Sequence, residues 1–167
     1  MRQNASMPLQ ELGYIAFQEG DYPLADRLLQ EALVLCHETD YRRGSASALN
    51  ILGRMALATG NERMSRSYLL NALATAVEIQ AWPLVLDTLL NIAMARANEG
   101  EGQWSRGVRF VVVAHLASEK QTRVRAQDLL SRFKEAQVDK GVSVAADLVQ
   151  PGTLQQITES VLKESAN

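Results

Sequence analysis

The stretch Glu11-Leu12-Gly13-Tyr14-Ile15-Ala16-Phe17-Gln18-Glu19-Gly20-Asp21-Tyr22 decides the reading of this chain, because the chain states it again. Forty positions on, Ile51-Leu52-Gly53-Arg54-Met55-Ala56-Leu57-Ala58-Thr59-Gly60-Asn61 repeats the Leu-Gly pair, the small residue four positions past the Leu, and the closing Gly. A third copy, Asn91-Ile92-Ala93-Met94-Ala95-Arg96-Ala97-Asn98-Glu99-Gly100, keeps the frame with Ala in the Gly slot. Self-similarity at a fixed period of a few tens of residues is the mark of stacked supersecondary units, each too small to bury its apolar face alone.

Working outward, each copy reads as the first helix of a pair. Leu9, Leu12, Ile15 and Ala16 recur at helical spacing until Gly20, and Ser6 with Pro8 marks the helix start. Asp21 caps a return helix whose stripe is Tyr22, Ala25, Leu28, Leu29, Ala32, Leu33 and Cys36. This first pair spans about residues 7–39. Asp40 caps a second pair over 40–80, with Gly60 stopping its first helix and Asn61 capping its return. The two pairs align without a gap: Ala25 falls on Ser65, Leu29 on Leu69, Ala32 on Ala72. A third pair over 81–118 opens with Trp82 and Pro83, where proline suits a first turn. It aligns once two residues are inserted in the loop at Gly100, which puts Val111 on Leu29. The β-branched run Phe110 to Val113 is then a buried helix segment rather than an orphan strand. A further helix over about 120–138 and a terminal cap over about 141–165, interrupted at Pro151-Gly152, complete the chain.

The bulk numbers agree with one helical domain of 167 residues. Ala and Leu are plentiful, and aromatics at 5% are scarce for a sheet protein. A net charge of −2 gives no general attraction to nucleic acid or an anionic membrane. No apolar run has the ~18 residues of a membrane span, and no signal-peptide pattern opens the chain, so the expectation is cytoplasmic. The single Cys36 makes no internal disulfide and reads as a small core hydrophobe. His37 and His115 fall in different pairs, so a shared metal site is not expected. No Gly-x-Ser-x-Gly elbow and no Gly-Lys-Ser/Thr phosphate loop occurs. The expectation is a non-catalytic protein without a cofactor.

The Leu-Gly pair followed by Ala, Leu and Ala, at Leu9, Leu12, Gly13, Gly20, Tyr22, Ala25, Leu29 and Ala32 and again at Leu49, Leu52, Gly53, Gly60, Ser65, Leu69 and Ala72, resembles the tetratricopeptide repeat. The period is longer than the ~34 residues of that family, Leu9 and Ala16 replace its usual Trp and Tyr, and its closing Pro is missing. The longer form is similar to the C-terminal sensor arrays of bacterial LuxR-type, ATP-dependent transcriptional regulators, although their nucleotide-binding loop and helix-turn-helix are not present. The resemblance implies an all-α, right-handed α-solenoid of antiparallel helix hairpins with a C-terminal cap. It also implies a sensor or assembly segment.

In tetratricopeptide stacks the first helices line a concave face. Transferred by position, that face here comprises Gln10, Tyr14, Phe17 and Gln18, then Asn50, Arg54 and Leu57, then Leu90, Met94 and Asn98. Phe17 and Leu57 have the alternative of packing against the neighbouring pair. A protein or peptide partner in this groove is the first expectation. Self-association as a homodimer through the uncapped first pair, and a small-molecule sensor pocket, stay open beside it. Direct nucleic-acid binding is not expected.

Overall fold

The computed structural model describes residues 3–98, 120–132 and 153–164. Among the described residues there are seven helices and no strand. They are α1 (Gln3–Glu19), α2 (Tyr22–Glu38), α3 (Arg42–Ala58), α4 (Glu62–Glu78), α5 (Trp82–Asn98), α6 (Lys120–Arg132) and α7 (Thr153–Glu164). The expected return helix of the third pair, with Phe110 to Val113 and His115, lies outside the described residues, as do 133–138 of the extra helix and the start of the cap. The contacts divide the chain into two compact units, Met1–Leu84 and Val85–Asn167.

The forty-residue period is metrical. Each of the first five helices is 17 residues long. The start of α4 lies 40 positions after that of α2, and the start of α5 lies 40 after that of α3. A finer period runs beneath it. Gly20, Asp40, Gly60 and Gln80, at intervals of twenty, all have left-handed backbone, with φ of 82°, 51°, 75° and 54°. Each follows a helix end, and the next residue's N–H reaches back five positions to a carbonyl. These bonds are Asp21 to Ala16 at 2.9 Å, Tyr41 to Cys36 at 2.8 Å, Asn61 to Ala56 at 2.8 Å and Ala81 to Ala76 at 2.9 Å. This is the Schellman closure, which satisfies carbonyls that a helix terminus leaves without donors.

Asp40 is therefore the left-handed residue of its turn and not the cap of α3, as its side-chain chemistry suggests. The residue in the cap position is Tyr41, which makes no side-chain cap bond. The two expected caps at the other turns are in place: Asp21 Oδ1 accepts from Leu24 N at 3.1 Å and Asn61 Oδ1 from Met64 N at 3.2 Å. The first helix also starts earlier than Ser6. It begins at Gln3 and carries Pro8 in its interior, where the ring cannot donate to the carbonyl of Asn4.

In the first unit α1 packs on α2, α3 on α4, and α2 on α3, with α1 also touching α3. The two glycines of the repeat are the points of closest approach. A Cβ on Gly13 would sit 2.8 Å from Leu29 Cγ, and one on Gly53 would sit 2.6 Å from Leu69 Cγ. The Ser65 hydroxyl donates to the Gly53 carbonyl at 2.9 Å, tying the same crossing together. Arg42, in the first turn of α3, makes a two-pronged ion pair with Glu78 at the end of α4, at 2.6 Å for each prong. The carboxylate raises the guanidinium's pKa by accepting these bonds, and then by its charge. Around the crossings Ala16, Ala25, Leu29, Leu33, Ala48, Leu52 and Met55 form one buried cluster. Each fully buried leucine there is worth about 1.5–3 kcal/mol over its exposed state.

In the second unit Val85, Leu86, Leu89, Leu90 and Ala93 of α5 are buried, with Ala126 of α6 and Leu154 and Val161 of α7. A polar seam joins α5 to α6. Asp87 Oδ1 accepts from Arg125 Nη1 at 2.8 Å and from the Thr122 hydroxyl at 3.0 Å, and Arg125 Nη2 donates to Asn91 Oδ1 at 2.6 Å.

Candidate functional site

The site is built between α1 and α3. Residues 10, 14 and 17 of α1 and 47, 51 and 54 of α3 lie three or four apart, so each set forms one side of its helix. A cleft of about 310 Å³ lies between the two sets. From α1 it is lined by Met7, Gln10, Glu11 and Tyr14. Opposite are Arg43, Gly44, Ser47 and Ile51 of α3, with Tyr41 at its end. Gly44 is required here: a Cβ would run into the Tyr41 ring and sit 2.6 Å from Cys36 Sγ.

Beyond the cleft, Arg54 lies over two aromatic rings of α1. Its Cζ is 5.4 Å from the centroid of Tyr14 and 5.3 Å from that of Phe17. The rings are 6.4 Å apart, and Tyr22 continues the series 6.2 Å beyond Phe17. Gln18 Nε2 donates to the Tyr14 hydroxyl at 2.6 Å, which fixes the ring's tilt. Among the described residues Arg54 enters no ion pair. Cation–π contact holds the flat guanidinium in place while leaving its N–H edge available, and the donor edge is what recognises a carboxylate.

Compared with protein-family models, with curated proteins and with solved structures, the chain matches none. The geometry therefore stands on its own.

Of the residues expected on the groove, Tyr14, Phe17 and Arg54 are brought together, each half-buried. Leu57 is also half-buried and Gln18 is exposed. Phe17 divides its ring between Arg54 and the core cluster, which is the packing against the neighbouring pair that was its alternative. Gln10 and Asn50 are largely buried, at 8% and 3% exposed; Gln10 still borders the cleft, whereas Asn50 is not among its lining residues. Each stands three residues before a crossing glycine, and residues three apart share a helix face, so the close approach at Gly13 and Gly53 draws both inward. Gln10 satisfies its amide on Cys36 Sγ at 3.7 Å.

The third-copy residues belong to the second unit. Leu90 is buried, and Met94 is half-buried beside α6, with Arg125 Nη2 3.9 Å from its sulfur. Asp87, Asn91 and Met94 fall on one stripe of α5, and Arg125 covers it. Asn98 is the last residue of α5, and its side chain is outside the described set.

Residues the sequence reading missed are Arg43, Tyr41 and Glu11, which line the cleft. A signal for Arg43 was present: it stands eleven positions before Arg54, three helical turns away on the same side. Among the described residues no three His, Cys, Asp or Glu side chains gather as a metal site would require, and no helix is long and apolar enough to cross a membrane.

Proposed function

We propose that this chain is a tetratricopeptide-like scaffold, a right-handed α-solenoid that binds a segment of another protein in the groove between α1 and α3. The observation that carries this reading is Arg54, held over the Tyr14 and Phe17 rings with no ion pair among the described residues. An aromatic pair offers apolar area at small entropic cost, and a pre-oriented guanidinium offers a charge-assisted, directional bond. Together they suit a segment with an apolar anchor next to an acid. The repeat period and the resemblance to regulator sensor arrays support a role in bacterial signalling or transcriptional regulation, by assembly and not by catalysis. A random-peptide display library panned against the chain tests this. The expected result is enrichment of segments pairing an acid with a large apolar residue, whose binding is lost in the Tyr14→Ala, Arg54→Ala double variant at unchanged helical signal. Enriched segments that bind the double variant equally would refute the groove.

A specific observation favours a second reading, self-association through α1. Leu12 and Ile15 are 53% and 50% exposed, whereas Leu52 and Met55, forty positions on, are 0% and 9% exposed. In the repeat frame Leu12 and Ile15 are the positions that α3 buries. In α1 they remain open to a second copy of the chain.

A further inference from the structure

Resting on the groove reading above, we infer that its ligand is an extended polypeptide segment with two carboxylates about five residues apart and no acid between them.

The first ground is the arginine spacing. Arg43 and Arg54 are eleven residues apart on α3, a separation of about three helical turns, so both project on the groove side. Along the axis they are about 16 Å apart. An extended chain covers that distance in about five residues, at ~3.3 Å each.

The second ground is that no carboxylate among the described residues neutralises either charge. Neither Arg43 nor Arg54 forms an ion pair among the described residues, in contrast to Arg42 and Arg125. Arg42 is turned away to Glu78, so adjacent arginines at the start of α3 serve different ends.

The third ground is the sign of the charge between them. Glu11 of α1 lines the wall of the cleft that faces Arg43, Ser47 and Ile51 of α3, and in the forty-residue frame it corresponds to Ile51, which stands between Arg43 and Arg54 along the chain. It is in no ion pair among the described residues. A carboxylate there repels an acid at the centre of a ligand and accepts a basic or amide side chain. Met7, Tyr14 and Ile51 provide the apolar floor.

The fourth ground is width. Tyr14 and Phe17 of α1 both lie against Arg54 of α3, and the two helices line opposite sides of the cleft. The two helices also touch directly. The cleft between them holds about 310 Å³, room for a short extended run and not for the bulk of a helix, which with its side chains is about 10–12 Å across. An extended segment fits where a helix does not.

Fluorescence anisotropy with synthetic peptides tests the inference on the intact chain. The parent peptide has an acid at each end of a short apolar and amide run that sets the extended spacing. Its relatives lack one acid, shorten or lengthen the run, place an acid in the middle, or set the two acids one above the other on a helix. Each is titrated against wild type, Arg43→Gln and Arg54→Gln, all checked for unchanged helical signal. We expect the parent to bind best. Arg54→Gln weakens it about tenfold, the loss of an oriented charge-assisted bond. Arg43→Gln, a more exposed contact, weakens it about two- to fivefold. In the Arg43 variant, the parent and the single-acid peptide that keeps the Arg54 contact bind alike. If Arg54→Gln weakens binding while Arg43→Gln and spacing have no effect, the two-point inference is overturned and the groove reading stands. If the helical or mid-acid peptide binds best, the extended, acid-flanked ligand is wrong. If no peptide binds in a way that depends on Arg54, the groove reading falls as well.

Discussion

Replacing Gly53 by alanine sets two effects of opposite sign against each other, and the geometry decides between them. Alanine is favoured over glycine in a helix interior by about 1 kcal/mol, and Gly53 lies well inside α3. Against this, the added Cβ would meet Leu69 Cγ and Cδ2 at 2.6 Å and the Leu69 backbone nitrogen at 3.3 Å. Leu69 is 1% exposed, so its side chain has nowhere to retreat, and the backbone contact resists any rotamer change. Overpacking of this kind costs about 1–3 kcal/mol. Separating the helices to relieve it also stretches the Ser65 bond to the Gly53 carbonyl, worth about 1 kcal/mol. The net expectation is a loss of about 1–3 kcal/mol, and at ~2–4 °C per kcal/mol a midpoint lower by about 2–12 °C. Gly13→Ala is the internal comparison. Its nearest contacts are looser, at 2.8 Å and 3.1 Å from Leu29, so it loses less. Gly53→Leu loses more, and Ala25→Leu overpacks the other crossing. Thermal melts of the four variants rank them. A double variant, Gly53→Ala with Leu69→Ala, falls short of the sum of its single losses by about 1–2 kcal/mol, since removing the leucine removes the collision. A raised midpoint for Gly53→Ala alone would mean that helix propensity prevails and that the crossing is not close.

The turns and α1 give further expectations. Gly60 has φ of 75° and open space, with no atom within 4 Å, where a Cβ would stand, so Gly60→Ala meets no collision and loses only the backbone preference, about 1 kcal/mol. Gln80→Gly and Asp40→Gly, at the same point of their turns, gain about 0.5–1 kcal/mol each; urea melts in which the glycine variants lose stability would refute the twenty-residue equivalence. Leu12→Gln with Ile15→Gln leaves the core untouched and lowers the mass measured by light scattering at high concentration, if a second copy covers α1. A wild-type mass equal to the 18.4 kDa of one chain at every concentration would refute that second reading.

The periodicity of Leu12-Gly13 and Leu52-Gly53 is enough to place helices, because the repeat spacing and the small residues both report local backbone demands. The caps at Asp21 and Asn61 and the stops at Gly20 and Gly60 are legible for the same reason: each acts on atoms within a few residues. Asp40 misleads because aspartate suits two neighbouring roles, the helix cap and the left-handed turn residue, and only the backbone separates them. The environment of a face is less legible than its existence. Leu12 and Ile15 carry the apolar pattern of Leu52 and Met55, yet an apolar stripe states what a helix can bury and not what covers it. The converse holds for Gln10 and Asn50, polar residues that the glycine crossings pull inside. Met94 and Arg125 show a case outside the repeat, a contact across 31 positions that no repeat register encodes.

The positions that agree between copies and the positions that differ have separate physical causes. Gly13 and Gly53, Leu29 and Leu69, and Ala32 and Ala72 are the same residues in both copies because they fill the crossings, where one added carbon collides with a neighbour. The residue immediately after the glycine slot, which holds Gly13, Gly53 and Ala93 in the three copies, sits one step around the helix, outside that constraint. There the copies diverge to Tyr14, Arg54 and Met94. In the first unit the divergent pair meets in space, arginine over tyrosine at 5.4 Å, although nothing in the crossing geometry requires a cation beside a ring. A repeat that served only to stack would tolerate any surface residue in this slot, and a lysine or glutamate would keep it soluble. The slot instead holds an aromatic ring and a guanidinium that orient each other, at the edge of a cleft holding another arginine with no ion pair among the described residues. On the proposed reading, scaffold and recognition are written in adjacent positions of one helix turn. Substitutions at 13 and 53 are expected to change stability, and substitutions at 14 and 54 to change binding at nearly constant melting temperature.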